Sequence, residues 1–334
     1  GNLTKTVPPA GVDTLSGGEV ASLFNYRSGT VGSISGKTLP EHRMVTTYDY
    51  NSTKQIIRQT TSDGGESSFI YDYVGLLRFI QDAQQSLENK YNYAKYDYLK
   101  RPIEVGENRL ENGEVFSSLQ QRANGDFSKP ENTYPSSGSW EVTKTTYNEN
   151  SEGVSYYGAP QRFLQNAVSK ITYDRDGFFN TKNDQSSTCF SYDAHQNVEW
   201  VVEETGGLGK IYVDYEYDLI RGKTEKIFYN RQGKDRFYHR YNYDLDDNLI
   251  SVETSRDEEI WDTDAIYEYY THGALKTSNI GQENIQSSTD YYTLQGWIKG
   301  INSESLTGDE NGLQGTLGND YMEDVFSMAL GYYE

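Results

Sequence analysis

Apolar and aromatic side chains alternate with polar ones in short stretches along the chain. One such stretch spans residues 211–217, and its apolar positions are Ile211, Val213, Tyr215 and Tyr217. Asp214 and Glu216 lie between them, which is the period of two expected for a β-strand with one buried face. A return strand over 223–230 and a further strand over 236–243 follow. The pattern therefore predicts antiparallel hairpins.

The hairpins recur at a nearly constant interval. Motifs that begin with an aromatic residue start at Tyr48, Tyr71, Tyr96, Tyr173, Tyr192, Tyr217, Tyr243, Tyr269 and Tyr292. From Tyr192 onward the steps are 25, 26, 26 and 23 residues, and the first two steps are 23 and 25. A single hairpin buries too little surface to be stable alone, so this period predicts a repeat protein whose units stabilise their neighbours.

Each motif supplies the chemistry of a turn. We expect the tyrosine ring to close the strand end against the next hairpin, and the aspartate to accept hydrogen bonds from main-chain N–H groups of the turn. Glycine in the motif tolerates the turn's backbone angles. The residues assigned to these structural turns are Tyr48, Asp49, Tyr71, Asp72, Gly75, Tyr96, Asp97, Tyr173, Asp174, Gly177, Tyr192, Asp193, Tyr217, Asp218, Gly222, Tyr243, Asp244, Tyr269, Gly273, Tyr292 and Gly296.

The spacing also divides the chain into segments. These are a leading segment with a degenerate repeat (1–47), repeats (48–106), an insertion or degenerate repeats (107–146), repeats (147–303) and a truncated segment (304–334). Residues 107–146 have no clean motif and are interpreted as an insertion or long loop projecting from the repeats. Helical spacing of Phe163, Leu164, Ala167 and Val168 leaves a short helix open within 161–170.

Composition favours a wall one sheet thick over a two-sheet sandwich. Only 35% of residues are hydrophobic, and 30 tyrosines stand against 12 phenylalanines and three methionines. Tyrosine suits half-wetted pleated surfaces, whereas a sandwich needs aliphatic residues to fill a core about 10 Å thick. The fold class predicted is all-β, with antiparallel hairpins stacked into a curved single-layer spiral wall that forms part of a hollow shell. Its aromatic face is expected to line a cavity or meet cargo.

Net charge and cysteine content exclude several classes of partner and bonding site. The formal net charge is −20, which repels phosphate backbones, so nucleic acid and anionic membrane surfaces are not expected partners. The single cysteine, Cys189, excludes an internal disulfide and a thiolate metal site. No apolar run is long enough to span a membrane, and the first ten residues lack the features of a signal peptide. The ends of the sequence suggest a fragment of a longer protein.

The candidate chemistry of the chain is weak. Asp244, Asp246 and Asn248 mimic the first ligands of a calcium loop, but Leu249 and Ser255 replace its glycine and its bidentate glutamate. The four histidines are His42, His195, His239 and His272, and they are dispersed without metal-ligand spacing. Adjacent glutamates on a strand point to opposite faces and cannot act as a glycosidase pair. We therefore expect no catalytic residues, no cofactor and no metal.

The recurrent Tyr-Asp-x-x-Gly turns, the opening GNLTKTVPP, the block YLKRPIEVGE from Tyr98 and the cassette YTLQGWIKGINS from Tyr292 resemble Rhs/YD-repeat proteins. The resemblance implies a β-strand spiral that closes into a shell around a C-terminal toxin, as in bacterial polymorphic toxins of interbacterial competition, insecticidal toxin complexes and teneurins. The aspartate-dependent self-cleavage core and the toxin of that family are missing from this sequence.

The functional expectation is a non-catalytic wall of a secreted or cell-surface shell that encapsulates a C-terminal toxin or effector. Its expected partners are the rest of its own chain, meaning neighbouring repeats, core and toxin domain, together with secretion machinery or an immunity or chaperone protein. The alternative is an adhesion module that binds carbohydrate or a receptor. One of the tryptophans would then form a stacking platform; these are Trp140, Trp200, Trp261 and Trp297.

Overall fold

The computed structural model describes residues 2–12, 16–18, 20–21, 24, 42–111, 113–123, 134–177, 185–281, 285–302 and 326–332. About half of the predicted segment 1–47 and most of the segment 304–334 lie outside these residues. The described chain forms two compact units, the first from residues 1–146 with 171–186 and the second from 147–170 with 187–334.

Antiparallel strands make up most of the described chain. Strands β1 to β10 are Lys5–Thr6, Thr46–Tyr50, Ile56–Thr61, Gly65–Tyr71, Leu77–Gln81, Lys90–Tyr96, Pro102–Arg109, Trp140–Tyr147, Val168–Asp174 and Gln185–Tyr192. Strands β11 to β20 are Val198–Thr205, Gly209–Tyr217, Thr224–Tyr229, Phe237–Tyr243, Leu249–Ser255, Asp262–Tyr269, Leu275–Ile280, Gln286–Tyr292, Ile298–Ile301 and Met328–Ala329. Helices α1 (Ala83–Glu88) and α2 (Leu119–Ala123) are short, 3-10 turns span Pro9–Gly11 and Phe116–Ser118, and residues 17–18 and 20–21 are also helical.

Strand pairing follows the chain. In the first unit each strand from β1 to β7 pairs with the next one, and in the second unit the same holds from β11 to β19. The main contacts between strands are those between these chain neighbours. The predicted single-layer antiparallel wall is confirmed.

A β-bulge marks the end of seven repeats. The register shifts immediately before Tyr50, Tyr71, Tyr96, Tyr217, Tyr243, Tyr269 and Tyr292. A bulge adds one unpaired residue to a strand and increases its local twist. The tyrosines therefore stand where the ladder is interrupted and the turn begins.

The described residues of the segment 107–146 belong to the first unit and pack on its strands. Helix α2 lies against β4 and β5, where Leu119 and Ala123 join a buried cluster with Phe79 and Tyr91. The guanidinium of Arg78 is buried beneath it and donates to the carbonyl oxygens of residues 94, 123 and 134. A buried guanidinium needs such acceptors, so Arg78 fixes the segment on the wall.

In the second unit, residues 150–164 form a strap along the wall without a helix. Phe163 and Asn166 have positive φ, which a continuous helix does not allow, and Val168 already begins β9. The buried amide of Gln161 donates to the carbonyl oxygens of Ser169 and Phe190. The spacing at 163–168 therefore reflects burial of an irregular segment rather than a helical face.

Candidate functional site

The repeated turns share one hydrogen-bond pattern. The Oδ1 atom of each turn aspartate accepts from the main-chain N–H groups two and four residues later, at 2.8–3.0 Å, in the turns that begin at Asp72, Asp97, Asp193 and Asp244. Asp218 differs because its turn is one residue longer, and it accepts from residues 220 and 221. The carboxylate thus satisfies donors that the end of the ladder leaves free.

These hydrogen bonds lower the pKa of three of the carboxyl groups, those of Asp193, Asp218 and Asp244, although burial opposes the shift at Asp193. For Asp244 the largest cause is the side-chain amide of Asn248, followed by the main-chain N–H of the same residue. For Asp218 the cause is donation by the main-chain N–H groups of residues 221 and 220. The ionised form is the better acceptor, so the turns are held by charge-assisted hydrogen bonds.

In five motifs the tyrosine that precedes the turn forms a second contact, which we call the tyrosine latch. Its hydroxyl donates to the carbonyl oxygen of the first residue of the adjacent preceding strand. The latches are Tyr96 to Leu77, Tyr192 to Val168, Tyr217 to Val198, Tyr243 to Thr224 and Tyr269 to Leu249, at 2.9–3.1 Å. Each latch joins one turn to the preceding turn on the same side of the wall, and burial raises the pKa of all five hydroxyls.

The first motif is shifted by two residues from its predicted position. Tyr48 and Asp49 lie within β2, and Asp49 is exposed opposite Arg58. The turn is made by Asn51, whose Oδ1 accepts from the main-chain N–H groups of residues 53 and 55, while the hydroxyl of Tyr50 donates to the carbonyl oxygen of residue 3. Sequence reasoning selected the Tyr-Asp pair because an amide oxygen in the aspartate's place was not considered.

The last two motifs keep the turn without a carboxylate. Tyr270 takes the aspartate position after Tyr269, and the turn closes through main-chain hydrogen bonds alone. After Tyr292 the hydroxyl of Thr293 accepts from the main-chain N–H of residue 297 at 3.1 Å. The backbone geometry of the turn is therefore kept even where the aspartate is replaced.

The motif at Tyr173 is built differently. Asp174 is fully buried at the end of β9 and accepts from the main-chain N–H of Gly177 and from the side chain of Gln185. A Cβ atom on Gly177, where φ is +71°, would lie 2.0 Å from the carbonyl oxygen of Ser139. Only glycine fits there.

Glycine is less demanding in the other turns. Gly75, Gly273 and Gly296 have positive φ at the position three residues after the turn acceptor, and Gly222 has it one residue later in the longer turn. Lys54, Lys100, Gln196 and Asp247 take the same position in the remaining turns, also with positive φ. The predicted glycines thus occupy a left-handed position that other residues enter at some cost.

One side of β12 to β16 carries rows of half-buried aromatic and aliphatic side chains. Register places Tyr215 beside Ile227, Ile227 beside His239, and Tyr241 beside Val252. We call this side the aromatic face; it comprises Val213, Tyr215, Tyr217, Ile227, Tyr229, Phe237, His239, Tyr241, Tyr243, Val252, Tyr267 and Tyr269. The rings stack on one another, with centroids 6.3 Å apart for Tyr215 and Tyr217 and 6.4 Å for His239 and Tyr241.

The opposite side of the same strands, the charged face, carries ion pairs. Arg240 lies 2.6 Å from Glu253, and Lys226 lies 3.3 Å from Glu258. The guanidinium of Arg240 also lies over the ring of Trp261, with 4.2 Å between the guanidinium carbon and the ring centroid. These ion pairs thus lie on the opposite side of the sheet from the aromatic face.

Part of the charged face is covered by the strap. The hydroxyl of Tyr156 donates to the buried carboxylate of Asp214, and its ring stacks on Trp200 at 5.8 Å. Tyr157 stacks on Tyr212 at 4.5 Å. Burial raises the pKa of the Asp214 carboxyl group. A guanidinium nitrogen of Arg231 lies 3.4 Å from that carboxylate and opposes the shift. Sequence analysis missed this cluster because nothing local links residues 156 and 214.

The remaining candidate chemistry resolves into surface and turn groups. Asp244 directs its oxygens to its own turn, and within the described ranges no group of three or more His, Cys, Asp or Glu side chains could hold a metal ion. An open polar pocket of about 480 Å³ beside α1 is lined mainly by paired charges, with Lys90 2.8 Å from Glu88 and 3.3 Å from Glu107. None of the helices in the described residues is long and apolar enough to cross a bilayer.

No protein-family model and no curated protein matches this chain. Among solved structures, the Tc holotoxin pore of Photorhabdus luminescens matches at 12% identity and a TM-score of 0.37 over 84% of this chain and 14% of that chain. The crystal structure of TcdB2-TccC3 without its hypervariable C-terminal region matches at 12% identity and a TM-score of 0.36, over 84% of this chain and 14% of that chain. A porin-like protein from Bacteroides uniformis matches at 8% identity and a TM-score of 0.30, over 73% of this chain and 83% of that chain. This chain spans 14% of the length of the two toxin chains.

Proposed function

We propose that this chain is a structural, non-catalytic wall of a secreted shell, and that its aromatic face holds a polypeptide cargo. The cargo expected from the resemblance to Rhs repeats is a C-terminal toxin or effector of the same protein. The wall needs no catalytic group for this role, since containment depends on a continuous surface.

The aromatic face is the observation that carries the proposal. A single-layer wall leaves both sides of its sheet accessible, and a water-facing sheet is normally polar on its outer side. Here one side keeps Tyr215, Tyr241 and their neighbours half-exposed, while charges such as Arg240 and Glu253 are confined to the other. Contiguous exposed apolar surface marks a binding surface. Aromatic rings with polar edges suit a polypeptide that is held without one fixed sequence.

The test measures binding of a permanently unfolded polypeptide, reduced and alkylated α-lactalbumin, by fluorescence anisotropy. Replacing both Tyr215 and Tyr241 with serine removes two adjacent rings, and we expect binding to weaken roughly tenfold, since ring contacts contribute about 0.5–1.5 kcal/mol each. The control carries serine at Tyr73 and Tyr98, two exposed tyrosines of turn tips in the first unit. It should bind as the wild type does.

Equal affinity of both variants would remove the aromatic face as the holding surface. Binding of glycans in place of unfolded polypeptide would favour the adhesion alternative. Enclosure is tested separately by fusing a protease-sensitive polypeptide after residue 334 and measuring its limited proteolysis with and without residues 48–303. The proposal expects protection only when the wall is present.

A further inference from the structure

The turn tips of the second unit carry large apolar side chains in full contact with solvent. Leu219, Ile220 and Leu245 are 83%, 95% and 91% exposed. They lie on the rim of the wall formed by the turns at 193–197, 218–222, 244–248, 270–273 and 293–296, which we call the tyrosine rim. The turn itself does not need them, because Ser52 and Thr53 take the corresponding positions after Asn51. A hydrophobic residue placed where a polar one folds equally well indicates a contact surface.

The other rim of the second unit carries apolar tips as well. Leu208 is 80% exposed in the turn between β11 and β12, and Ile260 is 71% exposed in the turn between β15 and β16. Between them, the turn from β13 to β14 carries the exposed Lys234 instead. We call this side the opposite rim.

The two rims have the same repeat distance. Neighbouring turns on one rim are two strands apart, about 10 Å in a sheet with 4.7–4.9 Å between strands. Turns alternate between the rims along the chain, so each turn of one rim faces a gap between two turns of the other. Two walls stacked rim against rim with aligned strands would therefore nest their turns.

In this arrangement apolar turn tips of one rim lie beside apolar turn tips of the other, and opposite charges lie near each other. The turn of Leu208 falls beside the tip of Leu219 and Ile220, and the turn of Ile260 falls beside Leu245. The turn without an apolar tip carries the exposed Lys234, Asp235 and Arg236, with a net positive charge. It falls between the turn of Leu219 and Ile220 and the turn that carries the exposed Asp246. Apolar contact and charge complementarity thus occur in one register.

We propose that the second unit binds a second copy of this chain, with the tyrosine rim of one copy against the opposite rim of the other. The two surfaces differ, so the contact is heterologous, and it leaves a free rim at each end that can recruit a further copy. The proposal concerns the rims and is independent of cargo binding by the aromatic face.

The test is sedimentation-velocity ultracentrifugation of the full chain over a range of concentrations. The wild type should form dimers and longer species. A tyrosine-rim variant (Leu219→Ser, Ile220→Ser, Leu245→Ser, Leu294→Ser) and an opposite-rim variant (Leu208→Ser, Ile260→Ser, Ile285→Ser) should each remain monomeric, since Leu294 and Ile285 are also exposed at turns of these rims. Mixed in equal amounts, the two variants should form dimers that grow no further, because each supplies one intact rim.

A control variant replaces Ile57 and Ile266, which are exposed on strands away from the rims, and should associate as the wild type does. Circular dichroism establishes that every variant keeps the β-structure. A monomeric wild type, rim variants that still associate, or a mixture that stays monomeric would each overturn the proposal. In a further pair, Lys234→Asp should weaken association, and mixing it with Asp246→Lys should restore it.

Discussion

Removing one latch hydroxyl tests whether the tyrosine of the motif stabilises the repeat. Tyr217→Phe keeps the ring and deletes only the donor that lies 2.9 Å from the carbonyl oxygen of Val198. A neutral hydrogen bond contributes about 1 kcal/mol net, and a partly buried carbonyl left without its donor adds to the loss, so we expect a destabilisation of about 1–2 kcal/mol. Tyr215→Phe on the same strand is the matched control, because the described structure shows no hydrogen bond from its hydroxyl.

Urea unfolding followed by tryptophan fluorescence measures the effect. Trp200, Trp261 and Trp297 report on the second unit once Trp140 of the first unit is replaced by phenylalanine in the reference protein and in every variant. Comparing midpoints at equal slope isolates the change in stability. Adding Tyr243→Phe and Tyr269→Phe should give a nearly additive loss, because the three latches share no partner.

The reasoning fails if Tyr217→Phe destabilises the second unit no more than Tyr215→Phe does. In that case the ring would matter only for its packing. A triple variant that loses no more than the single one would also contradict stabilisation repeat by repeat.

Three further predictions concern turns and pH. Asp244→Asn should keep its turn intact, because Asn51 forms the same turn with an amide oxygen, whereas Asp244→Ala should be less stable. The pKa of Asp244 is lowered, so its contribution to stability is present above the ordinary value of 3.8 and is lost as pH falls through the folded value. Urea midpoints from pH 6 to 2 should show this loss only with aspartate present. Gly177→Ala should destabilise strongly, by more than about 3 kcal/mol, whereas Gly273→Ala, with open space around it, should cost about 1 kcal/mol for its positive φ, both measured by thermal unfolding. Burial raises the pKa of latch tyrosines such as Tyr217, so their contribution is full below pH 10.0 and is lost as pH rises through the folded value; a midpoint that stays constant above pH 10 would contradict this.

Local patterns determined much of this protein. Alternation in 211–217 predicted β12, and the spacing of the tyrosines predicted recurrent turns, because strand period and turn chemistry depend on neighbouring residues. The predicted motif at Tyr48 was displaced by two residues, since Asp and Asn are interchangeable as turn acceptors and the sequence offered both. The bulge before each tyrosine and the partner of each latch hydroxyl had no signal within a single strand.

Tertiary structure alone decided which segments cover the wall. The sequence left 107–146 as an insertion or degenerate repeats, and only the structure shows that α2 packs on β4 and β5 and that Arg78 binds the carbonyl oxygen of Ala123. It left a helix open at 161–170, where the chain is instead irregular up to β9 and Gln161 donates to the carbonyl oxygens of Ser169 and Phe190. The alternation of residues determines that a strand has two faces. What covers each face depends on shape and hydrogen-bond partners brought together from positions more than 40 residues apart, as with Arg78 and Ala123, and no local pattern encodes that match.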